Sequence, residues 1–450
     1  MSITDRPFRI NVHDLLIARC QMGMSLAFHI IFAAIGIALP LMMSIAEWLW
    51  LKTGDNVYEE LAKRWSKGAA ILFAVGAVSG TVLSFELGLL WPGFMDFAGE
   101  IIGMPFALEG FAFFTEAIFL GIYLYGWKLV PKPVHLFAGL VVAASGAASA
   151  LFVIFANGWM NTPTGFDLVD GKAINIDPIK AMFNPAGLPE AVHMLLAAYA
   201  ATAFVVAGIH ATLLLKAKDN IFHRRALAIA LALGGATAIL QPLSGDLLAQ
   251  LTAQLQPVKL AAMEAHFDTT KGASLNIGGI TDVKAGKLNY AIEIPMMLSV
   301  LAHHDPNAEV KGLNDFERAD WPNINIVHLS FDLMVGCGVA MMLVSLWAAG
   351  YYAKTRKLLD SDIFLKSVAV VSPMGFIAIE AGWMVTECGR QPWIIQNVMR
   401  VSHSVTPMPG LGVSATLFSL LYLALALIVI FIVFRQIGHS PIIHEGEQKQ

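Results

Sequence analysis

Several side chains that can carry a proton or bind a metal stand inside long apolar stretches of this chain: His29, Glu86, Glu109, Glu116, His193, His210, Asp332, Glu380 and Glu387. An ionisable group at the bilayer centre costs roughly 2.5–3.5 kcal/mol on insertion scales, so each is a functional candidate. The plainer reading is that some lie at headgroup level or form pairs that tie helices together. Neutral imidazole and thioether suit the axial positions of haem iron, and a His/Met pair makes a six-coordinate electron-transfer haem of raised potential. A Met on an apolar helix is, taken alone, far more often packing. Glu109 and Glu116 are seven residues apart. That is nearly two turns, so both carboxylates share one helical stripe, about 10 Å apart along the axis. Two acids stacked through a membrane have the form of a proton relay. A structural ion pair would need a buried Lys or Arg, which the third and fourth apolar runs do not offer.

The elements that must position these groups are membrane helices. Of 450 residues, 57% are hydrophobic and 14% charged, and mean hydropathy is +0.65. A soluble domain has about 25% charged residues, so an ordinary soluble enzyme, disorder and collagen are excluded. A net charge of −4 and the lack of a basic block argue against a nucleic-acid partner. Cys20, Cys337 and Cys388 are scattered, with no CxxC pair and no CxxCH for covalent haem. The polar Met1–Arg19 segment followed by a long apolar run reads as a retained span rather than a cleaved signal.

Runs near the ~20 residues needed to cross the hydrocarbon core occur at Met22–Ala46, Ala69–Trp91, Phe106–Tyr125, Val134–Phe155, Ala191–Leu215, Ala226–Ala249, Ile324–Gly350, Ile363–Val385 and Val413–Phe434. The fold class expected is therefore an all-α polytopic membrane protein, residues 1–450 forming a single membrane domain of nine helices. Lys and Arg favour cytoplasmic loops. Lys52, Lys63, Arg64 and Lys67 follow the first run, and Lys128 and Lys132 the third. Lys216, Lys218, Arg224 and Arg225 follow the fifth, and Lys354, Arg356 and Lys357 the seventh. The loop after the second run has neither residue, and the one after the fourth has two. The N-terminus is thus expected outside and the C-terminus in the cytoplasm, with Arg6, Arg9 and Arg19 weighing the other way. The polar stretch 250–323, between the sixth and seventh runs, becomes a long outer loop, and loops of that length are usually functional. No internal repeat suggests an inverted-repeat transporter. In this orientation His29, His193, Met334 and Glu387 all fall in the outer half of the membrane, and Glu116 lies on the cytoplasmic side of Glu109.

Several strings are specific enough to carry a family resemblance. GRQPW at Gly389–Trp393, after EAGWMVTE at Glu380–Glu387, resembles the signature of subunit I of cytochrome bd-type quinol oxidases. ANGWM at Ala156–Met160, KLAAMEA at Lys259–Ala265, PFALEG at Pro105–Gly110, FDLMVG at Phe331–Gly336 and the Arg19 to His29 spacing fit the same family in order. The resemblance implies His193 and Met334 as axial ligands of a low-spin haem b. It implies His29 as ligand to one haem of an oxygen-reducing pair, Glu387 to the other and Glu109 beside them; which haem takes which ligand stays open. That pair would be a high-spin haem b with a haem d, or a further haem b in its place. Glu116 and Ser149 match a proton path from the cytoplasm. Lys259 and Glu264, with Asp246 as a lesser candidate, match quinol oxidation in the outer loop. Trp383 would lie among the haems and Arg390 would pair with haem propionates.

Asp332 stands where the best-known members have an arginine beside the low-spin haem, and FELGLLW replaces a polar Thr-Asn before the Trp. With an outer loop of the short type, these features resemble the cyanide-insensitive branch. The resemblance implies a terminal oxidase subunit of the bacterial cytoplasmic (inner) membrane. Quinol would be oxidised near the outer face and oxygen reduced to water, with a proton gradient made by vectorial chemistry. Its partners would be a second oxidase subunit in a heterodimer and a single-helix accessory subunit. The rival readings are a dihaem b-type electron carrier without oxygen chemistry and an ion-coupled transporter.

Overall fold

The computed structural model describes residues 12–438 and residue 441; Arg6 and Arg9 lie outside them. Among the described residues nine helices are long and apolar enough to cross a membrane. They are α1 (Val12–Thr53), α2 (Asn56–Leu90), α3 (Pro92–Tyr125), α4 (Lys132–Asn161), then after the short α5 (Pro178–Met182), α6 (Gly187–Leu214) and α7 (Ile221–Leu255). Two short helices, α8 (Pro257–Met263) and α9 (Met297–His303), lie in the long connection. There follow α10 (Ile324–Thr355), a span made of α11 (Asp362–Val371) and α12 (Met374–Gly389), and α13 (Leu411–Gly438). Each apolar run is recovered, and most of the helices extend beyond it. Hydrogen-bonded backbone continues past the hydrocarbon core wherever polar side chains can cap it. Asp55, Asn220, Asn323 and Ser361 cap α2, α7, α10 and α11 through their side chains. The eighth run is the exception, because Pro373 cannot donate into the ladder and divides it into α11 and α12.

The spans form two groups. α1 packs on α2 and α4, and α3 on α4; α6 packs on α7, α10 on α7 and α12, and α11 and α12 on α6. The α1–α6 and α4–α6 contacts join the groups. Close approach here requires missing side chains: a Cβ at Gly375 of α12 would lie well inside van der Waals contact of Ala201 Cα of α6, and one at Gly208 well inside that of Ser372 Cβ. α13 sits at the rim, with 6% of its most apolar window buried against 50% for α1 and α7.

The long connection is shorter and more structured than its polarity suggests. Residues 250–255 continue α7, and the rest is built from α8, α9 and paired strands at 275–277 with 292–294, 280–282 with 287–289 and 270–271 with 309–310. Leu260, Ala273, Leu298, Ala302 and Val310 give it a small core. Ala261, Met263, Phe267 and Leu313 anchor it against Ile324 and Val327 of α10 and Val385 of α12. It defines one end of the molecule, called here the loop face.

Candidate functional site

His193 and His29 are held by the same device. His193 Nδ1 lies 2.9 Å from Ser244 Oγ, and that hydroxyl donates to the Gln241 carbonyl at 2.8 Å. His29 Nδ1 lies 2.9 Å from Ser79 Oγ, which donates to the Val75 carbonyl at 2.9 Å. Each serine proton is committed to backbone, so each serine accepts from the ring; Nδ1 carries the hydrogen and Nε2 keeps its lone pair. That is the tautomer a metal-ligating imidazole needs. The Gln241 amide approaches His193 Nε2 at 3.1 Å.

A glycine on the neighbouring helix stands beside each soft donor. A Cβ at Gly80 would lie 3.1 Å from His29 Cε1, one at Gly245 3.6 Å from His193 Cε1, and one at Gly382 3.0 Å from Met334 Sδ. Any larger residue would fill the flank of the donor. His193 and Met334 thus belong to the α6, α7, α10, α12 group, and His29 to the interface of α1 with α2.

At the loop-face end of α12, Glu387 accepts from Asn157 Nδ2 at 2.7 Å and pairs with Arg390. Arg390 is buried and also donates to Asn161 Oδ1 at 3.2 Å, while its Nε has no partner. Asn161 Nδ2 reaches Glu190 Oε1 at 3.1 Å. Lys259 is buried against this cluster, its stem so close to Gly389 that a Cβ there would lie 3.0 Å from Lys259 Cγ. Burial pushes the Lys259 ammonium down to about 8, with Arg390 adding to the push and Glu190 opposing it. Glu190 was missed in the sequence, although it stands one turn before His193 in the first turn of α6. Asn157 was hidden inside ANGWM, and Asn161 directly follows it.

Glu264 is elsewhere. It ends α8, takes the Asn276 backbone N–H at 3.3 Å and lies near Asp332; burial pushes its carboxyl up to about 8. Helical spacing suggests that Lys259 and Glu264 could flank one headgroup, but a five-residue offset turns a side chain by about 140°, and the two face different surroundings rather than one common slot. Asp332 Oδ2 accepts the Gly278 backbone N–H at 2.8 Å, and His328, one turn earlier, meets the Met263 and Gly278 carbonyls at 2.7 and 3.0 Å. The departure at Asp332 therefore fastens the loop to α10. Asp246 lies on the same face near the end of α7, 3.2 Å from His304 and 2.8 Å from Gln250.

Glu116 is buried, with Gly146 of α4 close enough that a Cβ would lie 3.4 Å from Glu116 Oε2. Glu109 and Ser149 are partly buried on the paired helices α3 and α4. Trp383 Nε1, Glu380 Oε1 and Gln241 Oε1 are buried without a partner. Of the other intramembrane candidates, Glu86 accepts from Gln21 at 2.8 Å and His210 meets His223 at 2.9 Å. Oriented imidazoles, a thioether with an open flank, and orphaned donors at Arg390 and Trp383 suit a planar, carboxylate-bearing haem.

The comparisons agree with this chemistry. The family model described as cytochrome bd terminal oxidase subunit I matches residues 17–441. The chain is 38% identical over 437 residues to the putative cytochrome bd menaquinol oxidase subunit I of Bacillus subtilis (strain 168), covering 95% of this chain and 98% of the relative. It is 28% identical over 505 residues to the cytochrome bd-II ubiquinol oxidase subunit 1 of Escherichia coli (strain K12), covering 96% and 98%. The solved bd oxidase from Geobacillus thermodenitrificans superposes with a TM-score of 0.89 at 40% identity, over 95% of this chain and 99% of that one. With nine spans, serine-oriented histidines and the GRQPW corner in place, the chain belongs to the cytochrome bd terminal oxidase subunit I family.

Proposed function

We propose that this subunit oxidises quinol at the loop face, on the outer side of the cytoplasmic membrane, and draws protons for oxygen reduction from the opposite, cytoplasmic face. Family membership sets aside the transporter and the electron carrier without oxygen chemistry. His193 and Met334 would hold the low-spin haem b. His29 and Glu387 would hold the haem pair, with Glu109 beside it, Trp383 between the haems and Arg390 toward their carboxylates. Bound haem supplies the electron transfer and the oxygen reduction; the chain's own groups move protons and position the substrate. The observation that carries the ligand reading is the pair of serines that hold His29 and His193 in one tautomer.

Segment 250–323 is the quinol-binding segment in this reading. Glu264, largely neutral at pH 7 and cycling near pH 8, takes a proton from the quinol hydroxyl as electrons leave, and releases it outside. Lys259 lies behind it against Glu190, Glu387 and Arg390, where its charge favours electron arrival at the haem pair. Asp246 with His304 flanks the approach. On the other side Ser149 and Glu116 conduct protons toward Glu109, so that charge separates without a pump. Both menaquinol and ubiquinol are named among the relatives, and a carboxyl that accepts a hydroxyl proton serves either headgroup. The setting is a bacterial cytoplasmic membrane, with a second subunit completing a heterodimer and a single-helix peptide as accessory.

The test is optical. His193→Ala and Met334→Leu should each remove the low-spin haem b bands while high-spin bands survive in at least one variant. Full low-spin signal in both would refute the ligand pair.

A further inference from the structure

We infer that Glu47, His135 and Tyr123 form a proton-loading site at the end of the bundle opposite the loop face, feeding Glu116; this rests on the proton path proposed above. Glu47 of α1 and His135 of α4 are both buried, at 0% and 3% exposure. Glu47 Oε1 lies 2.8 Å from His135 Nδ1, and His135 Nε2 lies 2.8 Å from the Tyr123 carbonyl. A carbonyl only accepts, so Nε2 carries a hydrogen. Glu47 and Nδ1 then hold one proton between them, on the ring facing a carboxylate or on the acid facing a neutral ring. One geometry serves both arrangements, as a group that takes up and passes on protons requires. The Tyr123 hydroxyl is buried beside the Glu47 carboxylate and interacts with it, and neither it nor Glu47 Oε2 has another partner among the described residues. Such atoms call for ordered water, and water is the medium that would carry the proton onward.

The site is in line with the acids. Tyr123 follows Glu116 by seven residues, as Glu116 follows Glu109, so the three share one stripe of α3. Across from it α4 presents Gly139 and Gly146, with the same spacing. A Cβ at 139 would lie 2.7 Å from both Ser44 Oγ and Tyr123 Cε2, and one at 146 would lie 3.3 Å from the Gly36 carbonyl. The two glycines draw α1, α3 and α4 together along the stripe and leave Ser44, Tyr123 and Glu116 facing the seam. Toward solvent, the Trp127 ring covers His135 at 4.3 Å, and the Lys63 ammonium stands over Trp127 at 5.0 Å. Lys63 itself pairs with Glu59. The proton taken up leaves as a carboxylic acid at Glu116, and the site returns to its shared-proton form from the bulk.

The experiment uses the assembled oxidase, this chain with its partner, in liposomes, reading the rate constant of the electrogenic phase after oxygen binding. That constant does not depend on how much protein assembles. Glu47→Gln should slow the phase about tenfold or more, with haem bands retained. His135→Gln should slow it similarly, Tyr123→Phe less, and Glu47→Asp should restore part of the rate. An unchanged rate constant in Glu47→Gln and His135→Gln, measured on whatever fraction assembles, overturns the loading site and leaves a bond that merely ties α1 to α4. Glu116→Gln run in parallel separates the two readings. A slowed Glu116→Gln beside an unaffected Glu47→Gln removes the loading site alone. An unaffected phase in both removes the path as well.

Discussion

A serine hydroxyl already committed to a carbonyl one turn back can offer a neighbouring ring only its lone pairs. Ser79 and Ser244 do this for His29 and His193, and the consequence is testable one atom at a time. Ser244→Ala should keep His193 in place but free its tautomer. Haem affinity at that position should weaken roughly 10–100-fold, as for other groups that orient metal ligands, measured by haem retention during detergent dilution with the low-spin bands as readout. Glu264 makes a second residue-scale prediction. Its carboxyl, pushed up to about 8 by burial, takes a proton only when ionised, so quinol turnover should rise with pH up to about 8 and then level. The sign is that of a raised acid. Its folded state favours the protonated form, so the stability this group contributes is complete below its ordinary value and is lost as pH climbs through about 8. Activity through Glu264 and stability therefore run in opposite directions over that window. Glu264→Gln should abolish the rising limb and slow quinol oxidation, while an artificial electron donor still supports oxygen consumption. Equal loss with both donors would place Glu264 in a different step.

At the scale of the helix, the half that holds His193 and Met334 depends on glycines that let α6 lie against the broken span α11–α12. Gly375→Ala puts a methyl into the Ala201 backbone, and neither helix can yield without moving its neighbours. It should cost about 1–3 kcal/mol by overpacking, seen as a lower melting temperature in detergent and as loss of the low-spin haem b, whose candidate ligand His193 shares α6 with Ala201. Gly103, with nothing near its Cβ position, serves as the control and should tolerate alanine. The break at Pro373 is also an element-scale matter. The apolar run Ile363–Val385 reads as one span, and the structure divides it at Ser372–Pro373.

For the whole molecule the question is direction. On the proposed orientation the turn at Leu129 faces the cytoplasm and the strand connection at Tyr290 the outer side, and both residues are well exposed, at 79% and 92%. In a background freed of Cys20, Cys337 and Cys388, Tyr290→Cys should react with an impermeant maleimide in intact cells and Leu129→Cys only after lysis. The reverse pattern would invert the proton path and with it the vectorial chemistry.

The sequence by itself determined the membrane class, the count of spans, the stacking of Glu109 on Glu116 and the GRQPW and KLAAMEA strings, because each is a matter of composition or of spacing along one helix. What depends on which helix faces which was out of its reach. Glu47 falls one residue past the end of an apolar run, and His135 is the second residue of the next-but-two; nothing in either string brings them to 2.8 Å. Lys259 and Glu264 are neighbours in the chain, yet a helical turn sends one toward Glu387 and the other toward Asp332. The orienting serines are ordinary residues until a histidine from another helix comes within hydrogen-bond reach. Local periodicity fixes what a helix can present; partners across helices are decided only when apolar faces pack and buried polar atoms must each find a match.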